Sequence, residues 1–89
     1  MPSISMFYGI IVYVYFKNYK QHHIPHIHAI YQDYEAVVSI PEGELLKGNL
    51  PKSKMKLLYA WIELHKDELL ADWKLVVEGQ QPYKIDPLK

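Results

Sequence analysis

Residues 4–16 form the most hydrophobic run of the chain. β-branched and aromatic side chains dominate it, which favours a β-strand over a helix. Every even position of the run is apolar, and the odd positions add Phe7, Ile11, Tyr13 and Tyr15. A strand that is apolar on both faces is normally covered on both. The pattern therefore predicts one long strand, Ile4–Phe16, in which Gly9 marks a bulge or a close approach.

Two shorter strands follow a polar stretch. Residues 26–31 and 34–40 are rich in β-branched and aromatic side chains, and Gln32-Asp33 between them is short enough for a tight hairpin turn. Pro41 to Glu44 has the composition of a turn. A further short strand, Leu45–Lys47, is predicted after it.

The spacing of apolar residues then changes from two to three and four. One stripe consists of Met55, Leu58, Ile62, His65 and Leu69. Such spacing indicates a helix with one buried face, beginning near Pro51. Residues 70–77 contain no helix breaker, so the helix is predicted to continue to Glu78 and to end at Gly79. The tail contains one candidate strand, Tyr83–Ile85.

These elements predict a single α+β domain over residues 1–89, namely a small antiparallel sheet of three to four strands with one long C-terminal helix packed on one face. One helix cannot cover both faces of such a sheet. Monomers seldom expose a large apolar patch. We therefore expect a homo-oligomer or a protein partner to cover the second face. The predicted interface consists of Phe7, Ile11, Tyr13 and Tyr15, or of their even-numbered neighbours.

Composition excludes several classes of function. The 89 residues contain no cysteine, so disulfides, thiolate zinc sites and a cysteine nucleophile are absent. Formal charge is zero, and all ten basic residues are lysines. The lack of arginine counts against a dedicated phosphate enzyme, because the guanidinium fork is the usual phosphate clamp. The N-terminal apolar run lacks a basic leader and is too short to span a membrane, so we expect a cytoplasmic protein.

The histidines are the main candidates for chemistry. His26 and His28 are two residues apart in a predicted strand and share a face, and His65 occupies a position of the helix stripe where leucine is expected. Three interpretations stay open. His26, His28 and His65 could be acid–base catalytic residues that cleave RNA. The same residues with His22 could bind a divalent transition metal such as zinc, oriented by Glu35 and Glu68. They could also be purely structural.

A group of lysines is the second candidate site. Lys47, Lys52, Lys54 and Lys56 lie around the predicted helix start with no acid between them. Positive charges in the first turn of a helix oppose its dipole, at a cost of about 0.3–1 kcal/mol each. The concentration is typical of an anion-binding surface, and RNA phosphate is the hypothesis. The alternative is an ordinary solvated face balanced by Glu63, Asp67, Glu68 and Asp72.

Several short pieces of the chain, in this order, resemble the bacterial domain-of-unknown-function family 4160. They are Pro2-Ser3-Ile4, Phe7-Tyr8-Gly9-Ile10, Pro25-His26-Ile27-His28-Ala29-Ile30-Tyr31, Glu35-Ala36-Val37, Gly48-Asn49-Leu50-Pro51, Trp61-Ile62-Glu63-Leu64-His65, Glu68-Leu69-Leu70, Trp73 and Lys84-Ile85-Asp86-Pro87-Leu88. The resemblance implies a small cytoplasmic protein encoded beside a second small protein, in pairs that resemble toxin–antitoxin modules. It implies no catalytic residue.

The chain departs from that family in front of His26. Family members tend to have an acid, a histidine and a double proline there, whereas this chain has Gln21 in place of the acid and Ile24 in place of the first proline. His22 aligns with the upstream histidine, or His23 after a slip of one residue. We therefore expect no acid–histidine pair at this place. A component of a toxin–antitoxin-like pair, a metal-binding domain and a structural interaction module remain the three functional hypotheses.

Overall fold

The computed structural model describes residues 3–15 and 24–89. Within these ranges the chain forms an antiparallel sheet of five strands in sequential order, followed by two helices. The α+β class is confirmed, with more strands and shorter helices than predicted. The strands are β1 (Ser5–Phe7), β2 (Ile10–Tyr13), β3 (His26–Tyr31), β4 (Tyr34–Ser39) and β5 (Leu45–Asn49), and the helices are α1 (Lys52–Leu64) and α2 (Lys66–Val77).

The prediction of one long strand at Ile4–Phe16 is wrong, because the chain reverses at Tyr8 and Gly9. Both residues have positive φ, 52° and 82°, as a two-residue hairpin turn of type I′ requires. Phe7 is thereby paired with Ile10. Gly9 is also a close approach, since a Cβ atom there would lie 3.0 Å from Cε1 of Tyr31. An alternating apolar pattern looks the same on a long strand and on a hairpin, so the reversal was missed.

The second hairpin is confirmed. Strands β3 and β4 are joined by Gln32 and Asp33, with Tyr31 opposite Tyr34, and β4 ends one residue before the predicted end. Strand β5 is two residues longer than predicted and pairs with β4 through an irregularity between Val37 and Val38. Gly48 within β5 has a φ of 68°. These strands set the positions of the predicted histidine site.

The single long helix is also wrong, because His65 interrupts it with φ −122° and ψ 22°. Its N–H still bonds to the carbonyls of Trp61 and Ile62, and its own carbonyl accepts from Leu69, so the two helices follow one another without a loop. Acidic residues in the first turn of α2 suit a new helix N-terminus. No proline or glycine marks the break, which is why the spacing pattern did not reveal it. In the described part of the chain, neither helix is long and apolar enough to cross a membrane.

The tail is not a strand, although Tyr83–Ile85 was predicted to be one. Among the described residues, three hydrogen bonds attach residues 83–86 to the rest of the domain. The Ile85 N–H donates to the Ile4 carbonyl at 2.8 Å, and the Trp61 indole N–H donates to the Asp86 carbonyl at 2.8 Å. The backbone N–H of Tyr83 donates to Oδ1 of Asp72 at 2.9 Å. Only the bond from Ile85 to Ile4 joins two backbones in the manner of a sheet, and one such bond among the described residues is too few to form a strand.

Both helices contribute to one hydrophobic core on what we call the inner face of the sheet. Val12, Ala29 and Ala36 lie side by side across β2, β3 and β4 and are fully buried there. The core side chains of the helices belong to the same cluster, with Leu58 and Trp61 at its centre. Phe7 packs on Trp61 with ring centroids 5.2 Å apart. Phe7 was predicted to be an interface residue and is instead a core residue, because the hairpin turn places it opposite Ile10.

The opposite side of the sheet we call the outer face. The strand register places on it Met6, Ile11, Tyr13, His26, His28, Ile30, Glu35, Val37, Lys47 and Asn49. Tyr15 joins them through its stacking on His28. Ile11, Tyr13 and Tyr15 lie on this face as predicted and are half-buried, and Met6 is 59% exposed. The outer face therefore combines apolar side chains with both histidines of β3 and with Glu35 and Lys47.

Candidate functional site

His26 and His28 lie next to one another, as their spacing predicted. Their ring centroids are 5.1 Å apart in an edge-on arrangement. His26 is buried, with its ring 4.9 Å from the ring of Trp73 in α2. Its Nδ1 lies 2.9 Å from the Ile24 carbonyl oxygen. A carbonyl can only accept, so the proton of a neutral His26 is on Nδ1. This side chain links the end of the sheet to the second helix.

His28 lies beside a tyrosine and a glutamate. Its ring stacks on that of Tyr15 with centroids 4.1 Å apart and planes at 14°. The Tyr15 hydroxyl is 3.1 Å from Nδ1 of His28, and Oε2 of Glu35 is 3.5 Å from the same nitrogen. An unprotonated Nδ1 accepts from the hydroxyl, and a protonated one faces the carboxylate. The cross-strand arrangement thus produces a Tyr–His–Glu cluster.

This cluster forms part of a shallow pocket on the outer face. The pocket has a volume of about 220 Å³ and is lined by Tyr13, Tyr15, His28, Ile30 and Glu35. Burial raises the pKa of the Tyr15 hydroxyl above its ordinary value of 10.0, and the negative charge of Glu35 raises this pKa further. Both causes disfavour a second negative charge in the pocket. The site is therefore aromatic and has one acidic group at its edge.

His65 lies at the junction of the helices. Its Nδ1 is 2.6 Å from Oε1 of Glu68, and its ring is 5.5 Å from that of Trp61. Two acids were predicted to orient histidines, and each lies beside one of them: Glu35 beside His28, and Glu68 beside His65. Within residues 3–15 and 24–89, the His65 side chain contacts Trp61 and Glu68. The His26 side chain contacts a different pair, His28 and Trp73.

The predicted metal site was to consist of His22, His26, His28 and His65. In the two described ranges, no group of three or more histidine, aspartate or glutamate residues has an arrangement that could hold a metal ion. His22 and His23 lie outside the described residues. Zinc binding and acid–base catalysis by these histidines therefore stay predictions.

The four predicted nucleic-acid-binding lysines differ in their surroundings. Lys54 donates to the Tyr8 carbonyl at 3.2 Å, and its Nζ lies 5.0 Å from the centre of the Tyr31 ring. Lys52 and Lys56 are exposed on α1, and Lys47 is exposed on β5. Lys54 therefore supports the first hairpin turn. RNA binding by the group stays a prediction.

Asp72 was missed as a residue of interest, because it was grouped with solvated acids of the helix. It is only 2% exposed. Its Oδ1 accepts from the tail, and its Oδ2 has no hydrogen-bond partner among the described residues. Burial raises its pKa above the ordinary 3.8, the tail N–H lowers it, and nearby Glu68 raises it. The signal was available, since Asp72 lies three residues after Leu69 and directly before Trp73 on the buried stripe.

Comparison with known proteins gives a family and no activity. No curated protein and no solved structure matches the chain significantly. The profile of a domain of unknown function, DUF4160, matches residues 9–74, which include strands β2 to β5, helix α1 and most of α2. The chain therefore belongs to the DUF4160 family.

Proposed function

We propose that the chain is one component of a two-protein module of the toxin–antitoxin type and that it works by binding the other protein through the outer face of its sheet. The observation that carries this proposal is the apolar surface of the outer face. Met6, Ile11 and Ile30 are neighbours across β1, β2 and β3. None of the three is fully buried. Met6 is exposed, and Ile11 and Ile30 are partly exposed. A continuous row of apolar side chains that reach the surface is typical of protein contact surfaces.

The position of the helices supports the same proposal. Their buried apolar side chains belong to the core on the inner face, and the contact of Trp73 with His26 is made at one end of the outer face, away from Met6. Complete burial of an isoleucine or methionine side chain contributes about 1.5–3 kcal/mol relative to full exposure. Met6 is 59% exposed, whereas Ile11 and Ile30 are already partly buried, so covering this row supplies that amount in full for none of them and a fraction of it for each. Part of the gain offsets the entropy lost on binding.

The aromatic residues next to this row also favour a contact surface. Tyr13 and Tyr15 are half-buried on the outer face. Tyrosine combines a large apolar body with a polar tip and is enriched at the centres of protein interfaces. A polar and an apolar partner group can both contact such a ring, which suits a surface that must also stay hydrated when the partner is absent.

The test is co-expression with the protein encoded by the adjacent gene, followed by co-purification and light scattering. We expect a complex of defined mass. Met6→Glu places a charge in the outer face and is expected to weaken the complex at least about tenfold. Leu64→Glu is the matched control, because Leu64 is 69% exposed at the end of α1 and α1 packs on the inner face. Equal loss of binding in both variants, or no complex for the wild type, would contradict the proposal.

A further inference from the structure

We propose that the pocket on the outer face binds the guanidinium group of an arginine side chain from the partner protein. The pocket is the one lined by Tyr13, Tyr15, His28, Ile30 and Glu35. The inference rests on the proposed function, because the pocket lies within the surface assigned there to the partner. It adds the chemistry by which that partner is recognised.

The charge of the pocket is the first argument. The Glu35 side chain is 57% exposed, and the residues directly opposite it, Ile30 and Asn49, carry no charge. Lys47 lies on the same face one residue pair further along β5, opposite Val37. In the described parts of the chain its ion-pair partner is His28, which balances the carboxylate only when the imidazole is protonated. With a neutral His28 the pocket therefore presents a negative charge that attracts a cation.

The walls of the pocket are the second argument. Two tyrosines and an isoleucine make most of its lining. Aromatic rings attract cations over their faces, and a planar guanidinium can also stack on them. The volume of about 220 Å³ is below the range of about 300–1,000 Å³ that is usual for small-molecule sites. This size suits the end of one side chain.

Other ligands fit the pocket less well. The Glu35 carboxylate would repel an RNA phosphate. A zinc ion takes at least three protein ligands, whereas the described lining of this pocket contains two candidates, His28 and Glu35. A lysine ammonium is a point charge, but a guanidinium can donate two parallel hydrogen bonds to the carboxylate. Arginine is therefore favoured over the other candidates.

The source of the guanidinium follows from the sequence. All ten basic residues of this chain are lysines. A second copy of the chain therefore has no guanidinium to offer. The occupant must be a different protein with an exposed arginine on its contact surface. Self-association of this chain would therefore leave the pocket without a guanidinium.

The first experiment needs no partner. Methylguanidinium is titrated into the wild-type chain and followed by NMR at the amides of residues 13, 28 and 35. Methylurea, which has a similar planar shape and no charge, is the control probe. We expect saturable shifts with methylguanidinium alone, at millimolar concentrations. Glu35→Gln should weaken this binding about threefold or more. Glu63→Gln, which removes an exposed helix carboxylate paired with Lys66, should leave it unchanged.

The second experiment measures the affinity of the complex with the partner. Glu35→Gln is expected to weaken it about tenfold, with Glu63→Gln as the control. Equal shifts with methylurea, or a methylguanidinium affinity that Glu35→Gln leaves unchanged, would overturn the inference. A complex whose affinity is insensitive to Glu35→Gln would overturn it too, while the proposed function would stand. Saturable guanidinium binding without any complex would instead contradict the proposed function and leave the preference of the pocket for a guanidinium supported.

Discussion

Two glycines of this chain provide a direct test of the packing between β4 and β5. Gly48 and Gly79 both have a left-handed φ, 68° and 80°. Replacement by alanine therefore introduces the same backbone strain at both positions and lowers the free energy of unfolding by about 1–2 kcal/mol. The two sites differ in what a new Cβ atom would meet. At Gly79 the new Cβ atom would have no atom of the described residues within 4 Å.

At Gly48 the new Cβ atom would overlap the carbonyl oxygen of Glu35, well under the 3.0 Å that real Cβ atoms respect. The obstacle is backbone, so β5 must move away from β4. Overpacking of this kind costs a further amount of about 1–3 kcal/mol. We therefore expect Gly48→Ala to lower the free energy of unfolding by about 2–5 kcal/mol and Gly79→Ala by about 1–2 kcal/mol. A small domain has roughly 5–15 kcal/mol in total, so folding should survive in part.

The assay is urea unfolding followed by circular dichroism, with linear extrapolation to water. The difference between the two variants isolates the steric contribution, because the strain is common to both. Equal losses of stability in Gly48→Ala and Gly79→Ala would refute the argument. Because the overlap falls on the Glu35 carbonyl, Gly48→Ala should also weaken methylguanidinium binding, and Gly79→Ala should not.

Three further predictions concern single groups. The pKa of Asp72 is raised in the folded state, which therefore binds the proton more tightly than the unfolded chain does. The free energy of unfolding should fall as the pH rises from 3.8 through the pKa that Asp72 has in the folded state. Asp72→Asn should flatten this dependence in urea unfolding measured at several pH values. Tyr15 should ionise at higher pH than an ordinary tyrosine in an ultraviolet titration, and Glu35→Gln should lower its pKa, whereas Glu63→Gln should not. Trp61→Phe removes the indole donor to the Asp86 carbonyl and should cost about 1–3 kcal/mol, measured by urea unfolding, with faster proteolysis of the tail.

The candidate site could be predicted in part. Residues two apart on a strand share a face, so the proximity of His26 and His28 follows from local geometry. The contact of Glu68 with His65 follows equally from helical spacing. The joining of His28 with Tyr15 and Glu35 required the register of three strands, which depends on where the first hairpin turns. Nothing in the immediate neighbourhood of Tyr15 indicates that it stacks on His28.

By itself the sequence determined the α+β class, the hairpin between β3 and β4 and the helical nature of residues 52–77, because each rests on local spacing and turn chemistry. The tertiary structure alone decided which face of each strand packs against the helices. The reversal at Tyr8 and Gly9 moved Phe7 into the core, and the packing of α2 and the tail buried Asp72. Both outcomes depend on contacts between residues far apart in the chain. A periodic pattern reports which positions are apolar, and only the folded packing decides which of them remain at the surface.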